Sequence, residues 1–142
     1  MNVSQLSVFL ENKSGRLAEV TQVLAANDVN IRALCIAETI DYGVLRLIVN
    51  DPGRAKSVLA EHGFTVTETA VLVVELEDRP GGLAQVIKLL ADQGINIEYL
   101  YAFLTRSEKA FVVFRLENIE EAAAALSAAG VRILTGAEIY GL

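Results

Sequence analysis

The sequence predicts an α+β protein made of two tandem βαββαβ units, each a four-stranded antiparallel sheet with two helices on one face. Three observations carry this reading. Residues 10–34, LENKSGRLAEVTQVLAANDVNIRAL, recur at 76–100 as LEDRPGGLAQVIKLLADQGINIEYL, identical at 11 of 25 positions under a constant shift of 66. A repeat of that length within 142 residues makes duplication of one small domain the first expectation. Hydrophobic periodicity switches between two and about 3.6 residues in the same order in both copies. Glycine, proline and asparagine punctuate the switches at matching places.

In the first copy, Leu6, Val8 and Leu10 alternate with Gln5, Ser7 and Phe9, a half-buried strand. A loop, 11–15, follows. Leu17, Val20, Val23 and Leu24 then recur at helical spacing, and Asn27-Asp28 breaks the helix. Asn30-Ile31 enters a second strand that runs to about Ala37. Asp41-Tyr42-Gly43 turns into a third strand, Val44–Val49. Asp51-Pro52-Gly53 opens a helix, with the proline fit for its first turn, and Gly63 stops it after His62. Phe64–Thr69 makes the fourth strand.

The second copy repeats the order through Leu72–Leu76, a helix at Leu83–Asp92, strands after Asn96-Ile97 and at Phe111–Leu116, an alanine-rich helix at Ile119–Ala129, and a strand from Val131. The shift becomes 67 at Gly130 against Gly63, so the hairpin loop is one residue longer in this copy. The domains are expected at 1–69 and 70–142. On the sheet face without helices the second copy should carry Val71, Val73, Tyr99, Tyr101, Phe103, Phe111 and Val113, and the first Gln5, Ser7, Phe9, Ala33, Cys35 and Arg46. The aromatic face calls for cover by another sheet, from the sister copy or a second chain. The tail, Ala137-Glu138-Ile139-Tyr140, aligns with Ala70–Val73 and is expected as an edge strand on the first copy.

Composition narrows the function. Two units of about 70 residues each lie near the lower limit for an independent core, so they should lean on one another, with a homodimer expected. A hydrophobic content of 53% and mean hydropathy of +0.41 point the same way. No apolar run reaches the ~18 residues of a membrane helix, and the start, MNVSQLSVF, lacks the regions of a signal peptide. A net charge of −6 opposes nucleic-acid binding, which rests on clustered Lys and Arg. One cysteine, Cys35, excludes an internal disulfide. The expected compartment is the cytoplasm.

The repeated loop is the feature with chemistry. It joins a strand to a helix N-terminus, where unpaired amides and the positive end of the helix suit a carboxylate. Gly15, Gly81 and Gly82 let backbone approach a ligand. Asn12 and Asp78 precede them, placed either to cap the helix or to accept a hydrogen bond from an ammonium group. Asn30 and Asn96 lie at the far end of the same helix, either shaping a turn or facing a loop of another unit. Elsewhere the chemistry is thin. His62 has Ala129 as its counterpart and reads as a surface residue at a helix end; Cys35 reads as a buried, inert thiol. No cluster has metal-ligand spacing, and neither loop has the lysine of a nucleotide-binding loop. No metal, cofactor or catalytic set is expected.

Both copies resemble ACT domains, ferredoxin-like modules that bind amino acids in metabolic enzymes. The pattern is an Asn or Asp, a Pro-Gly-like turn, Leu-Ala, a helix, and Gly-x-Asn-Ile. The second copy meets it through Asp78, Pro80, Gly81, Leu83, Ala84, Gly94, Asn96 and Ile97; the first departs at Ser14 and Asp28. The first copy is also similar to the N-terminal part of acetohydroxyacid synthase regulatory subunits, and the whole chain to free-standing tandem ACT proteins of bacteria. The resemblance implies a ligand at contacts between units, touched by Asn12, Gly15, Arg16, Leu17, Asn30 and Ile31 in one set and Asp78, Gly81, Gly82, Leu83, Asn96 and Ile97 in the other. It implies a non-enzymatic regulator of a partner metabolic enzyme. The rivals are a ligand-free interaction subunit of a synthase or ligase, and a small enzyme. Arg16, replaced by Gly82, reads somewhat better as a solvent-exposed helix residue.

Overall fold

The computed structural model describes residues 3–38, 41–104 and 108–142. In chain order the elements are β1 (Val3–Glu11), α1 (Arg16–Ala26), β2 (Ile31–Glu38), β3 (Tyr42–Val49), α2 (Pro52–Glu61), β4 (Thr65–Glu77), α3 (Gly82–Asp92), β5 (Ile97–Leu104), β6 (Lys109–Leu116), α4 (Ile119–Ala128), β7 (Arg132–Leu134) and α5 (Gly136–Tyr140). This is the βαββαβ order twice. The longer hairpin loop expected in the second copy runs through 105–107, outside the described residues.

Two compact units result. One comprises Ser4–Thr69 with Ala137–Leu142; the other contains Ala70–Gly136. In the first, the strand order is β2-β3-β1-β4; in the second, β5-β6-β4, with β7 paired on β4. The paired strands are antiparallel, with Leu6 opposite Leu47 in one unit and Leu72 opposite Phe114 in the other. The fourth strand of the first copy and the first strand of the second form one element, β4. Nothing in TVTETAVLVVELE breaks a strand: there is no glycine or proline, and β-branched residues recur.

The two helices of each unit pack on one sheet face. Val20 and Leu24 of α1 and Ala55 and Leu59 of α2 meet Leu6, Val8, Leu45, Leu47 and Val49. At the repeated positions, Val86, Leu90, Ala122 and Leu126 meet Leu72, Val74, Val112, Phe114 and Leu116. One packing scheme thus serves two sequences, with Phe114 for Leu47 the largest change in volume. On the other face Gln5, Ser7, Ala33, Val71, Val73, Phe111 and Val113 are buried, and Phe9 is exposed. Tyr99, Tyr101 and Phe103 are half-buried; Phe103 meets Phe111 edge to face at 5.3 Å.

The tail returns to the first copy as the alignment with Ala70–Val73 suggests, but as a helical turn, α5, rather than an edge strand. Flanked by Gly136 and Gly141, the segment is too short to build a ladder, whereas one turn buries Ile139 completely. Tyr140 anchors it: Ser4 N–H donates to Tyr140 Oη at 2.7 Å, and Arg32 Nη2 donates to Tyr140 O at 3.1 Å. Ile139→Ala should lower unfolding free energy by about 2–4 kcal/mol through the cavity it leaves. Tyr140→Phe should cost about 1–2 kcal/mol by stranding the Ser4 amide. Urea melts of the two variants check both values.

Candidate functional site

The strand-to-helix corner has the same backbone in both units. Asn12 N–H donates to Asp41 O and Asp78 N–H to Glu108 O; Lys13 N–H donates to Glu11 O and Arg79 N–H to Glu77 O; Glu19 N–H donates to Gly15 O and Gln85 N–H to Gly81 O. Gly15 at φ 90° and Gly81 at φ 86° stand at the N-caps of α1 and α3, in the left-handed region open to glycine. No side chain caps either helix. The other two long helices differ: Asp51 accepts from Arg54 N–H at 3.1 Å and Asn118 from Glu121 N–H at 3.2 Å. Asn12 and Asp78 therefore do not cap these helices. The first-turn amides of α1 and α3 lack the side-chain acceptor that α2 and α4 have.

Gly82 is a glycine for a further reason. A Cβ there would meet the Glu77 carbonyl oxygen at 2.3 Å. The first copy carries Arg16 at this position, and its hydrogen bond, Arg16 N–H to Lys13 O, is 3.4 Å against 3.0 Å for Gly82 N–H to Arg79 O. Its loop is correspondingly looser. Arg16 is half-buried and reaches Glu11 at 3.4 Å and Glu19 at 3.1 Å, so it is neither a free surface residue nor an uncommitted cation.

Asn12, Arg16 and Leu17 converge on a cleft of ≈ 150 Å³, joined by Ile36 of β2 and Gly43 of β3. Gly15, the N-cap of α1, is not among its lining residues. Asn30 and Ile31 do not join this group: they lie beyond the opposite end of α1, whose 11 residues span about 16 Å. There Asn30 N–H donates to Asn50 Oδ1 at 2.8 Å and Asn50 N–H to Asn30 O at 3.0 Å. In the second unit Asp78, Gly81, Gly82 and Leu83 form the corner, with Asp78 and Gly81 exposed and Gly82 buried, while Asn96 and Ile97 begin β5 at the far end of α3. Sequence reading did not single out Ile36 or Gly43; the register that pairs Ile36 with Leu45 and Glu38 with Gly43 brings them to the corner.

A glutamate ends the first strand of each unit, and each is held by a lysine. Glu11 is lowered below its ordinary 4.5 by the hydrogen bond and charge of Lys13, then by Arg16. Glu77 is lowered by the hydrogen bond and charge of Lys109. Burial raises the Cys35 thiol, although Arg46 opposite pulls it down, so the half-buried thiol stays protonated. His62 caps the end of α2, its Nδ1 donating to Val58 O at 2.8 Å. Among the described residues no cluster of His, Cys, Asp and Glu could hold a metal, and no helix is long and apolar enough to cross a membrane.

A family model described as an ACT domain pair matches residues 1–135. A crystal structure of a protein from Bacteroides thetaiotaomicron is similar over 100% of this chain and 98% of its own, at 44% identity and a TM-score of 0.95. The regulatory subunits of aspartate kinase from Thermus thermophilus (22% identity, 89% and 90% coverage, TM-score 0.65) and Thermus flavus (20%, 92% and 92%, 0.62) share the fold. Among curated proteins nothing matches the chain.

Gly82→Ala should cost about 2–3 kcal/mol, because backbone must move to admit the methyl group. Gly81→Ala, with no atom within 4 Å of its Cβ, should cost only the left-handed strain of about 1–2 kcal/mol; denaturant melts distinguish the two. Because the folded values of Glu11 and Glu77 lie below 4.5, their ion pairs stabilise above that pH and are lost as pH falls through the lower folded values. A Lys13→Ala, Lys109→Ala double variant should therefore lose less Tm than wild type on acidification from about pH 6 to about pH 3, measured by differential scanning fluorimetry.

Proposed function

The chain belongs to the family of ACT domain pairs, and from that premise we propose that it is a non-enzymatic regulator that binds a small amino acid at its glycine corners. Occupancy would favour one arrangement of units and alter contact with a partner enzyme of metabolism. The observation that carries this reading is the contrast in capping. Two helices in this chain are closed by their own Asp51 and Asn118, while the two at the repeated corners are left open behind left-handed glycines. The open amides suit the α-carboxylate, and Asn12 Oδ1 or the Asp78 carboxylate suits the ammonium group. Asp78 can neutralise that charge and Asn12 cannot, so the two corners differ in affinity.

The proposal includes a homodimer and a cytoplasmic setting. β2 and β5 stand at the ends of their strand orders, and Leu17, Leu34 and Ile36 are 42%, 51% and 46% exposed along the β2 edge and the helix start beside it. An unpaired edge with apolar side chains favours another strand. Antiparallel pairing of two β2 edges would carry Asn30 of a second copy toward the Ile36 end of the first, where the corner cleft lies. That resolves the separation of Asn30 from Gly15 within one unit and completes the residue set Asn12, Gly15, Arg16, Leu17, Asn30 and Ile31. The second set, Asp78, Gly81, Gly82, Leu83, Asn96 and Ile97, would be completed in the same way at β5.

Thermal-shift and calorimetric screening of the common amino acids tests the reading. At a concentration of about one hundred times Kd the right one should add about 2.7 kcal/mol, a rise of several degrees for a chain of this size. Asp78→Ala and Asn12→Ala should each remove part of the rise, and Ile36→Lys should remove it together with the dimer in light scattering. Absence of stabilisation by every amino acid would favour the ligand-free interaction subunit.

A further inference from the structure

Beside the corner of the first unit, on the side of the α2–β4 turn, lies a cleft of ≈ 250 Å³. Phe9, Tyr42, His62 and Phe64 line it, with Glu11 and Arg16 among others. Under the shifts of 66 and 67, every lining position has its counterpart in a cleft of ≈ 410 Å³ in the second unit. The hollow therefore belongs to the fold, and the two linings separate what the fold needs from what the first copy adds. Phe9 is matched by Glu75, Tyr42 by Lys109, His62 by Ala129 and Phe64 by Val131. The second unit thus folds with no ring at these four positions.

Four of the chain's ten Phe, Tyr and His side chains are gathered in this one cleft, its single histidine included. Phe64 also packs on the core, as Val131 does in its own unit. Phe9 and Tyr42, by contrast, are 48% and 62% exposed. Rings left in water around a hollow are costly unless something covers their faces. The polar groups narrow what that is. Arg16 is shared between Glu11 and Glu19, and Lys13 holds Glu11 as well. A phosphate or carboxylate entering here would meet a guanidinium whose charge is already answered. The His62 Nδ1 hydrogen goes to Val58 O, which leaves Nε2 of the neutral ring as an acceptor. Glu11 keeps carboxylate lone pairs, and Arg16 keeps N–H donors beyond its two ion pairs.

We propose that this first-copy cleft binds an uncharged purine base or nucleoside. The flat base lies against Phe9 and Tyr42, its amino group donates to Glu11 or His62 Nε2, and a ring nitrogen accepts from Arg16. A hydrocarbon ring would fill the same space and leave those polar groups without partners. The volume falls just below the roughly 300 Å³ of drug-sized pockets, which suits a single base. The cleft shares Arg16 with the corner, but the ligand is singled out by Phe9, Tyr42 and His62. It uses neither Asn12 nor the open amides of α1, so it stands independently of the corner site proposed above. The second-copy cleft has no ring at the matched positions and does not bind the same ligand.

The chain has no tryptophan, so 2-aminopurine riboside can be titrated by its own fluorescence, which stacking quenches. The expected result is saturable quenching at one site per chain, competed by adenosine. Purine riboside, which lacks the amino group, should compete at least fivefold more weakly than adenosine, and 5′-AMP no better than adenosine. Phe9→Glu and His62→Ala each install the residue that the second copy carries, and each should weaken binding at least fivefold. Leu142→Ala, at an exposed side chain of the same unit outside the cleft, should leave it within twofold. Absence of saturable quenching overturns the proposal, as does affinity kept in both Phe9→Glu and His62→Ala. Competition by 5′-AMP at least tenfold better than by adenosine also overturns it, marking a phosphate site instead. Should Phe9→Glu fail to fold, His62→Ala decides alone by the same threshold.

Discussion

A left-handed residue at the entry to a helix is the constraint around which each unit is arranged. At Gly15 and Gly81 the chain leaves a strand, reverses, and starts a helix within five residues, at φ values near 90°. Glycine makes that reversal cheap, but it has no side chain with which to close the helix it begins. The same residue that permits the turn therefore opens the amides. Where the chain can enter a helix in extended backbone, as at Asp51 (φ −142°) and Asn118 (φ −130°), it caps with an oxygen. Open and closed ends in one chain thus follow from the two ways of entering a helix. At the open pair a strand end, a helix start and a cleft meet.

Duplication kept the core and released the corners. Core positions answer to volume and face: Val20 and Val86, Leu24 and Leu90, Ala55 and Ala122, Leu59 and Leu126 keep their identity because each fills a closed space against the sheet. The corners answer to solvent and diverge in charge and bulk, Asn12 to Asp78 and Arg16 to Gly82. Even backbone strain was redistributed. Past the first helix, the second copy turns through Gly94 at φ 70°, and the first turns through Asp28 at φ 59°, a residue type that tolerates this region better than most. Two nearly identical frames thus hold two different chemistries.

Much of this was legible in the residues. Periodicity and punctuation gave the element order, the helix faces and the strands, because burial on one side of a sheet enforces alternation. The repeat pointed to the corners before any coordinates, since only glycine suits their conformation. Three things were not legible. The fusion of two strands into β4 left no mark, since a strand that continues needs no signal. The tail looked like a strand because Ala137–Tyr140 aligns with Ala70–Val73; the alignment matched apolar letters and missed that a single turn suffices to bury Ile139. The clefts beside the corners were invisible because each lining is drawn from at least four separate segments, no two of which form a motif.

The tail bears directly on how alike the two sites can be. Arg32 lies two residues past Asn30 at the entrance to β2, and its guanidinium is tied to the Tyr140 carbonyl of α5. The matched position in the second copy is Glu98, which lies 3.2 Å from Arg115 of the adjacent strand instead. One entrance is braced by a segment more than a hundred residues away in sequence (Arg32 to Tyr140, a separation of 108); the other is braced from within its own sheet. Displacing the first entrance works against the buried Ile139 and the Ser4–Tyr140 hydrogen bond, whereas displacing the second disturbs one part-exposed ion pair of small worth. Equal ligands at the two entrances would therefore meet unequal resistance. The asymmetry set by Asn12 and Asp78 at the corners is repeated, by a different interaction, at the opposite ends of the same helices.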